Sequence, residues 1–142
     1  MLLRLRPLLA PALLFVFVAA FYWALTLTKQ YELMWSSDNA TQVWPWLQTA
    51  ARQWQSGIFP LWDPHLWRGQ PLLGQAQPGI AYPPNWVLFS MPLQDGYLTR
   101  ASLHWYFIAI HWMAAVFSYV LCRDLGLRVL PSLLAGLAYS LC

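Results

Sequence analysis

Two apolar runs, each about as long as a bilayer is thick, bracket a stretch that can be neither helix nor central strand. The runs are Leu8 to Leu27, LLAPALLFVFVAAFYWALTL, and Ala101 to Cys122, ASLHWYFIAIHWMAAVFSYVLC. A helix needs about 20 apolar residues to cross the hydrocarbon core. Between them, Gly57 to Asn85, GIFPLWDPHLWRGQPLLGQAQPGIAYPPN, holds six of the eleven prolines and four of the seven glycines. Proline removes a backbone donor and fixes φ, while glycine adds freedom, so regular structure is excluded over most of this stretch. It is also too aromatic and too poor in charge for a disordered linker. An ordered loop lying on the membrane surface is expected, and long ordered loops are usually functional.

Composition agrees. The chain is 59% apolar and 9% charged, with mean hydropathy +0.43, whereas soluble domains carry about 25% charged residues. An all-α integral membrane protein follows. The net charge of +3 is dispersed without a basic run, which argues against a nucleic-acid partner. Cys122 and Cys142 show no ligand spacing, so neither a disulfide nor a metal site is expected from them.

Taken in order, the chain divides into a first span (8–28), an outer loop (29–99), a second span (100–122) and the start of a third (130–142). Pro11 is expected in the first helical turn, where its missing N–H costs nothing, and Tyr22 and Trp23 at the interfacial aromatic belt. A secretory signal peptide is the rival for the first run. Its apolar core would be shorter, and the aromatics make a poor cleavage site. Arg123 to Arg128, RDLGLR, reads as a tight turn. The third run is too short to cross, so the chain reads as the front part of a longer protein. The head and the tight turn hold four of the eight basic residues in short segments; Lys29, Arg52, Arg68 and Arg100 are spread over the loop and its flank. The positive-inside rule then puts the N-terminus in the cytoplasm and the loop outside.

Within the loop, Asp38 to Gln55 contains an amphipathic interfacial helix. Ser36, Ser37 and Asp38 offer capping side chains and Gly57 a stop. Val43, Trp46, Leu47, Ala50 and Trp54 share one face; Gln42, Thr49, Arg52 and Gln53 fall elsewhere. Pro45 predicts a start near Thr41 or later. A second short helix is expected over Asn85 to Met91.

Four acids stand on the outer side: Glu32, Asp38, Asp63 and Asp95. Asp38 could serve as general base or divalent-cation ligand, or as an N-cap, and these roles can coexist. Asp63, His65 and Arg68 cluster in PLWDPHLWRG, where His65 and Arg68 could contact a substrate or phosphate. The plainer reading is a turn started by Asp before Pro. His104, His111 and Ser118 repeat at seven-residue spacing on the second span, which fits a packing and hydrogen-bonding stripe. Asn39-Ala40-Thr41 matches a glycosylation sequon too short to carry weight.

Asp38 soon after the first span, a helix ending in S-G, then P-L-W-D-P, G-x-P-L-L, Q-x-G and Y-P-P resemble the bacterial YfhO-like membrane proteins of the GT-C class. R-D-L-G-L and A-G-L-A-Y-S extend the resemblance over nearly the whole chain. The resemblance implies a multi-pass bundle in the bacterial cytoplasmic membrane. It implies an enzyme that takes a sugar from a polyprenyl-phosphate donor, among membrane lipids, at the outer face. It assigns Asp38 as catalytic base or ligand of a divalent cation (Mg or Mn). The matching loop residues Trp62, Asp63, Pro64, Gly69, Pro71, Gln77, Tyr82 and Pro83 would shape the cavity, with roles unassigned; Trp62, Asp63, Gln77 and Tyr82, with His65 and Arg68 from the cluster above, are the substrate-binding candidates. The second acid and the lipid-phosphate-binding cations of that class would lie beyond Cys142. Aromatic side chains near the headgroups suit sugar stacking and exclusion of water. The alternative is a non-catalytic subunit for transport or assembly of polysaccharide or lipid, with the loop as a docking surface; a transporter should show paired interrupted spans.

Overall fold

The computed structural model describes residues 6–28 and 38–142. Arg4, Lys29, Glu32, Ser36 and Ser37 lie outside these residues. The helices are α1 (Arg6–Phe21), α2 (Trp23–Leu27), α3 (Trp44–Gln55, preceded by a π-helical turn Asn39–Val43), α4 (Pro83–Phe89), α5 (Arg100–Asp124) and α6 (Val129–Leu141). The strands are β1 (Trp62–Asp63), β2 (Gln70–Pro71), β3 (Leu93–Gln94) and β4 (Tyr97–Leu98). The chain is thus mostly helical, as expected, with two small antiparallel ladders that the expected all-α layout lacks. It divides into two compact units, Met1–Lys29 with Trp105–Cys142, and Gln30–His104.

The first unit packs α1 and α6 with the part of α5 from Trp105 onward. Leu14, Val18, Ile108 and Ala115 form its core, joined by Trp112, Leu133 and Leu137. The indole of Trp112 donates to the Pro11 carbonyl at 2.9 Å. Pro11 lies inside α1 and not in its first turn. The helix starts earlier than expected, and Pro7 takes the terminal place that suits proline. The first apolar run is also broken at Tyr22, whose dihedrals (φ −92, ψ 17) leave the helix. Its ring packs edge-on against His111 at 5.1 Å. The 16 residues of α1 rise only about 24 Å, so this run is two helical pieces and not one continuous span. Among the described residues, α5 is the helix long and apolar enough to cross a membrane, and only 11% of its apolar window is buried.

On α6 the buried residues are Ser132, Gly136 and Ser140, spaced at four on one face. A Cβ at Gly136 would stand 2.7 Å from the Ala115 carbonyl oxygen. Small residues here let the two backbones approach. Helices α5 and α3 end alike: Leu127 N–H reaches the Cys122 carbonyl at 3.0 Å, and Ile58 N–H the Gln53 carbonyl at 2.9 Å. Gly126 (φ 85) and Gly57 (φ 76) supply the left-handed residue of each Schellman turn. The tight turn and the Gly57 stop are therefore where the sequence puts them. Both cysteines are free.

The second unit is built on α3. Trp46, Leu47, Ala50 and Ala51 are buried, covered within the unit by α4 and β4. The face expected to lie in the headgroup layer is thus largely spent on protein. The helix begins at Asn39, earlier than Pro45 predicts. In the π turn Trp44 N–H bonds the Asn39 carbonyl five residues back, and this wider ladder accommodates a proline that can neither donate nor tolerate a close i−4 carbonyl.

The irregular segments are held to α3 by its polar side chains. Gln48 is buried; its amide donates to the Leu98 carbonyl at 3.1 Å and accepts from Leu98 N–H at 2.8 Å. Arg52 donates to Gly96 at 2.8 Å, Gln53 to Trp62 at 2.7 Å, and Gln55 to Phe89 and Met91 at 2.8 and 2.7 Å. These bonds pair backbone groups that lack a partner in helix or ladder, all carbonyls except the Leu98 N–H.

Candidate functional site

The segment PLWDPHLWRG folds as the β1–β2 hairpin, with Trp62 opposite Pro71 and Asp63 opposite Gln70. Asp63 is buried, 1% exposed, and its Oδ1 accepts from His65 N–H at 2.8 Å. This is an Asx turn, in which the aspartate side chain stands in for a backbone acceptor. Of the two readings, the turn is the one on view: Oδ1 is occupied inside its own turn. His65 and Arg68 are exposed. Trp67 and Arg68 take left-handed dihedrals (φ 53 and 63), uncommon for residues with side chains. Gly69 follows because the Trp62 indole lies where its Cβ would be, at 2.7 Å.

Trp62 is half-exposed. It closes one side of a shallow groove of about 290 Å³ lined by Gln53, Ile58, Phe59, Leu61, Trp62 and Pro64. Gln77 and Tyr82 are exposed on the following turns. Tyr82 leads into α4, accepting from Asn85 N–H at 2.9 Å. That helix spans Pro83–Phe89, two residues ahead of the expected Asn85–Met91, because the two prolines suit its first turn.

Two features of this region escape the sequence argument. Trp54 and Trp86 stack at 5.6 Å, and Phe59 and Phe89 complete an aromatic cluster around them. The second is the β3–β4 hairpin, whose turn residues Asp95 (φ 52) and Gly96 (φ 79) are both left-handed. Asp-Gly between short apolar runs is a strong local hairpin signal.

Asp38 is exposed, and its dihedrals are already helical (φ −67, ψ −40), with no capping hydrogen bond. A capping residue needs an extended backbone to fold its side chain over the first turn. The cap reading is thus corrected, and the carboxylate is left facing solvent. No hydrogen bond among the described residues joins Asp38 to the β1–β2 hairpin. Nor does any group of three His, Cys, Asp or Glu among them form a metal cage. One exposed carboxylate does not define a divalent-cation site, so no step is derived through a metal.

His111 back-bonds to the Phe107 carbonyl at 2.8 Å and stacks on the Phe107 ring, a packing role. Compared with known proteins, the chain matches no family model, no curated protein and no solved structure.

Proposed function

We propose that this chain contributes the first outer loop and adjoining helices of a membrane glycosyltransferase that uses a polyprenyl-phosphate-linked sugar at the outer face. The observation that carries the reading is Asp38, an exposed carboxylate without a capping bond at the head of the loop's principal helix. A carboxylate relieved of a structural role can take a proton from an acceptor hydroxyl as the glycosidic bond forms. The half-exposed rings of Trp62 and Tyr82 offer apolar faces for a sugar, with Gln77 as a polar neighbour in sequence. The membrane setting is supported by α5, which is long and apolar enough to cross and exposes Trp105, Phe117, Val120 and Leu121. In water so much exposed apolar surface is unfavourable; in lipid it is the expected outer face. On this reading the N-terminus is cytoplasmic and α1 with α2 make the first crossing.

The test is Asp38→Asn in the whole protein, assayed for sugar transfer from a lipid-linked donor. Loss of a general base should lower the rate by about 10²–10⁴-fold at unchanged membrane level. Full transfer by the variant sinks the assignment. Transport or assembly that survives while no transfer is found in either form favours a non-catalytic subunit instead.

A further inference from the structure

The amphipathic helix that sequence singles out as interfacial buries its apolar face in protein, which leaves a lipid-facing role open to another element. We infer that the β1–β2 hairpin does so, with Trp67 at the headgroup–hydrocarbon boundary and Arg68 on a lipid phosphate. The inference rests on the proposed reading that α5 spans the membrane.

The segment leading through this hairpin exposes large apolar side chains. Ile58, Leu61, Trp62 and Leu73 are 60, 53, 51 and 42% exposed, and Trp67 reaches 87%. Trp67 is the most exposed large hydrophobic residue described, and it stands there on a left-handed backbone shared with Arg68. Left-handed conformations at bulky residues persist where the surroundings hold them and cluster at functional contacts. Here the Asp63 turn, the Trp62–Gly69 packing and the Gln53 bond to Trp62 hold the hairpin from three sides.

The chemistry specifies a lipid surface. Tryptophan is favoured at the headgroup layer because its ring is apolar and its N–H polar. Arginine beside it offers a forked donor set that matches phosphate. Arg68 makes no hydrogen bond or ion pair with a described residue, and the hairpin's own acid, Asp63, is buried and bonded to His65. A lone exposed cation beside an exposed indole complements an anionic headgroup.

The experiment places a nitroxide at position 65 (H65C, with C122S and C142S) in the full chain in nanodiscs containing anionic lipid. The measurement is accessibility to oxygen against a water-soluble nickel complex. Parallel labels at Q94C, on the other hairpin, and F117C, on the exposed side of α5, serve as references. The label at 65 is expected to be shielded from nickel several-fold relative to Q94C. W67N and R68N, which keep a residue tolerant of left-handed φ, should each move it toward water, R68N chiefly in anionic lipid. A label at 65 as wet as that at Q94C, with F117C in lipid, overturns this inference and leaves the spanning reading intact. A label at F117C in water overturns both. Unchanged depth in W67N and R68N overturns the assignment to these two side chains.

Discussion

The principal helices α6 and α3 of the two units bury different faces. In the helical unit the fully buried positions of α6 are small, Ser132, Gly136 and Ser140, flanked by Leu133 and Leu137 on the apolar core, while Leu130, Leu134 and Tyr139 face outward. In the loop unit the inward positions of α3 are Trp46, Leu47, Ala50 and Ala51, and the outward ones are polar. The first arrangement adds close backbone approach to its apolar core and leaves large apolar side chains exposed. The second is ordinary hydrophobic burial, reinforced by side-chain bonds to irregular backbone. A loop of proline and glycine can therefore be rigid without regular structure, provided one helix supplies the missing partners.

The comparison can be broken at its strongest point by Gln48→Leu. Two buried backbone groups of Leu98 would lose their partners, costing about 4 kcal/mol at roughly 2 kcal/mol each. Hydrogen exchange should then rise at Leu98 and across the β3–β4 hairpin while α6 stays protected. Equal protection in both forms would show that the clasp is dispensable. Phe117→Arg tests the other unit. Its side chain is 68% exposed, so in water the change would be nearly neutral. In lipid it should cost about 3 kcal/mol of insertion, read as the fraction integrated in a membrane-insertion assay.

Gly136→Ala comes next. The added methyl meets the Ala115 carbonyl, and such overpacking costs about 1–3 kcal/mol; a fall in Tm of the helical unit would report it, and no change would mean the helices part freely. The smallest effect belongs to Arg52→Leu. Arg52 lies 4.0 Å over the Tyr97 ring and donates to the Gly96 carbonyl, two exposed contacts worth about 0.5–1 kcal/mol each. It should loosen the β3–β4 hairpin slightly, seen as modestly faster proteolysis near Gly96, and leave α4 untouched.

Asp38 shows how a site can be half legible. Its position after the first apolar run drew notice from sequence, and aspartate there suggested a cap. Only the dihedral angles removed that role, because the π turn forced by Pro45 carries the helix back to Asn39. Asp63 went the other way. The Asp-Pro turn is readable, yet the burial of its carboxylate needed the folded hairpin.

What the sequence determined by itself are features set within a few residues: the apolar helices, the stops at Gly57 and Gly126, the Asp63 turn and the proline-led start of α4. Apolar spacing, left-handed glycine and fixed proline φ act locally and leave a local trace. The Asp95-Gly96 hairpin belongs with them, since Asp-Gly is a local turn signal. The tertiary structure alone decided the break at Tyr22, the Gly136 approach to Ala115 and the use of Gln48 as a clasp. Gln48 and Leu98 lie 50 positions apart, and a glutamine on a helix carries no sign of which backbone it will bond. Such pairings arise only when burial removes water as the competing partner.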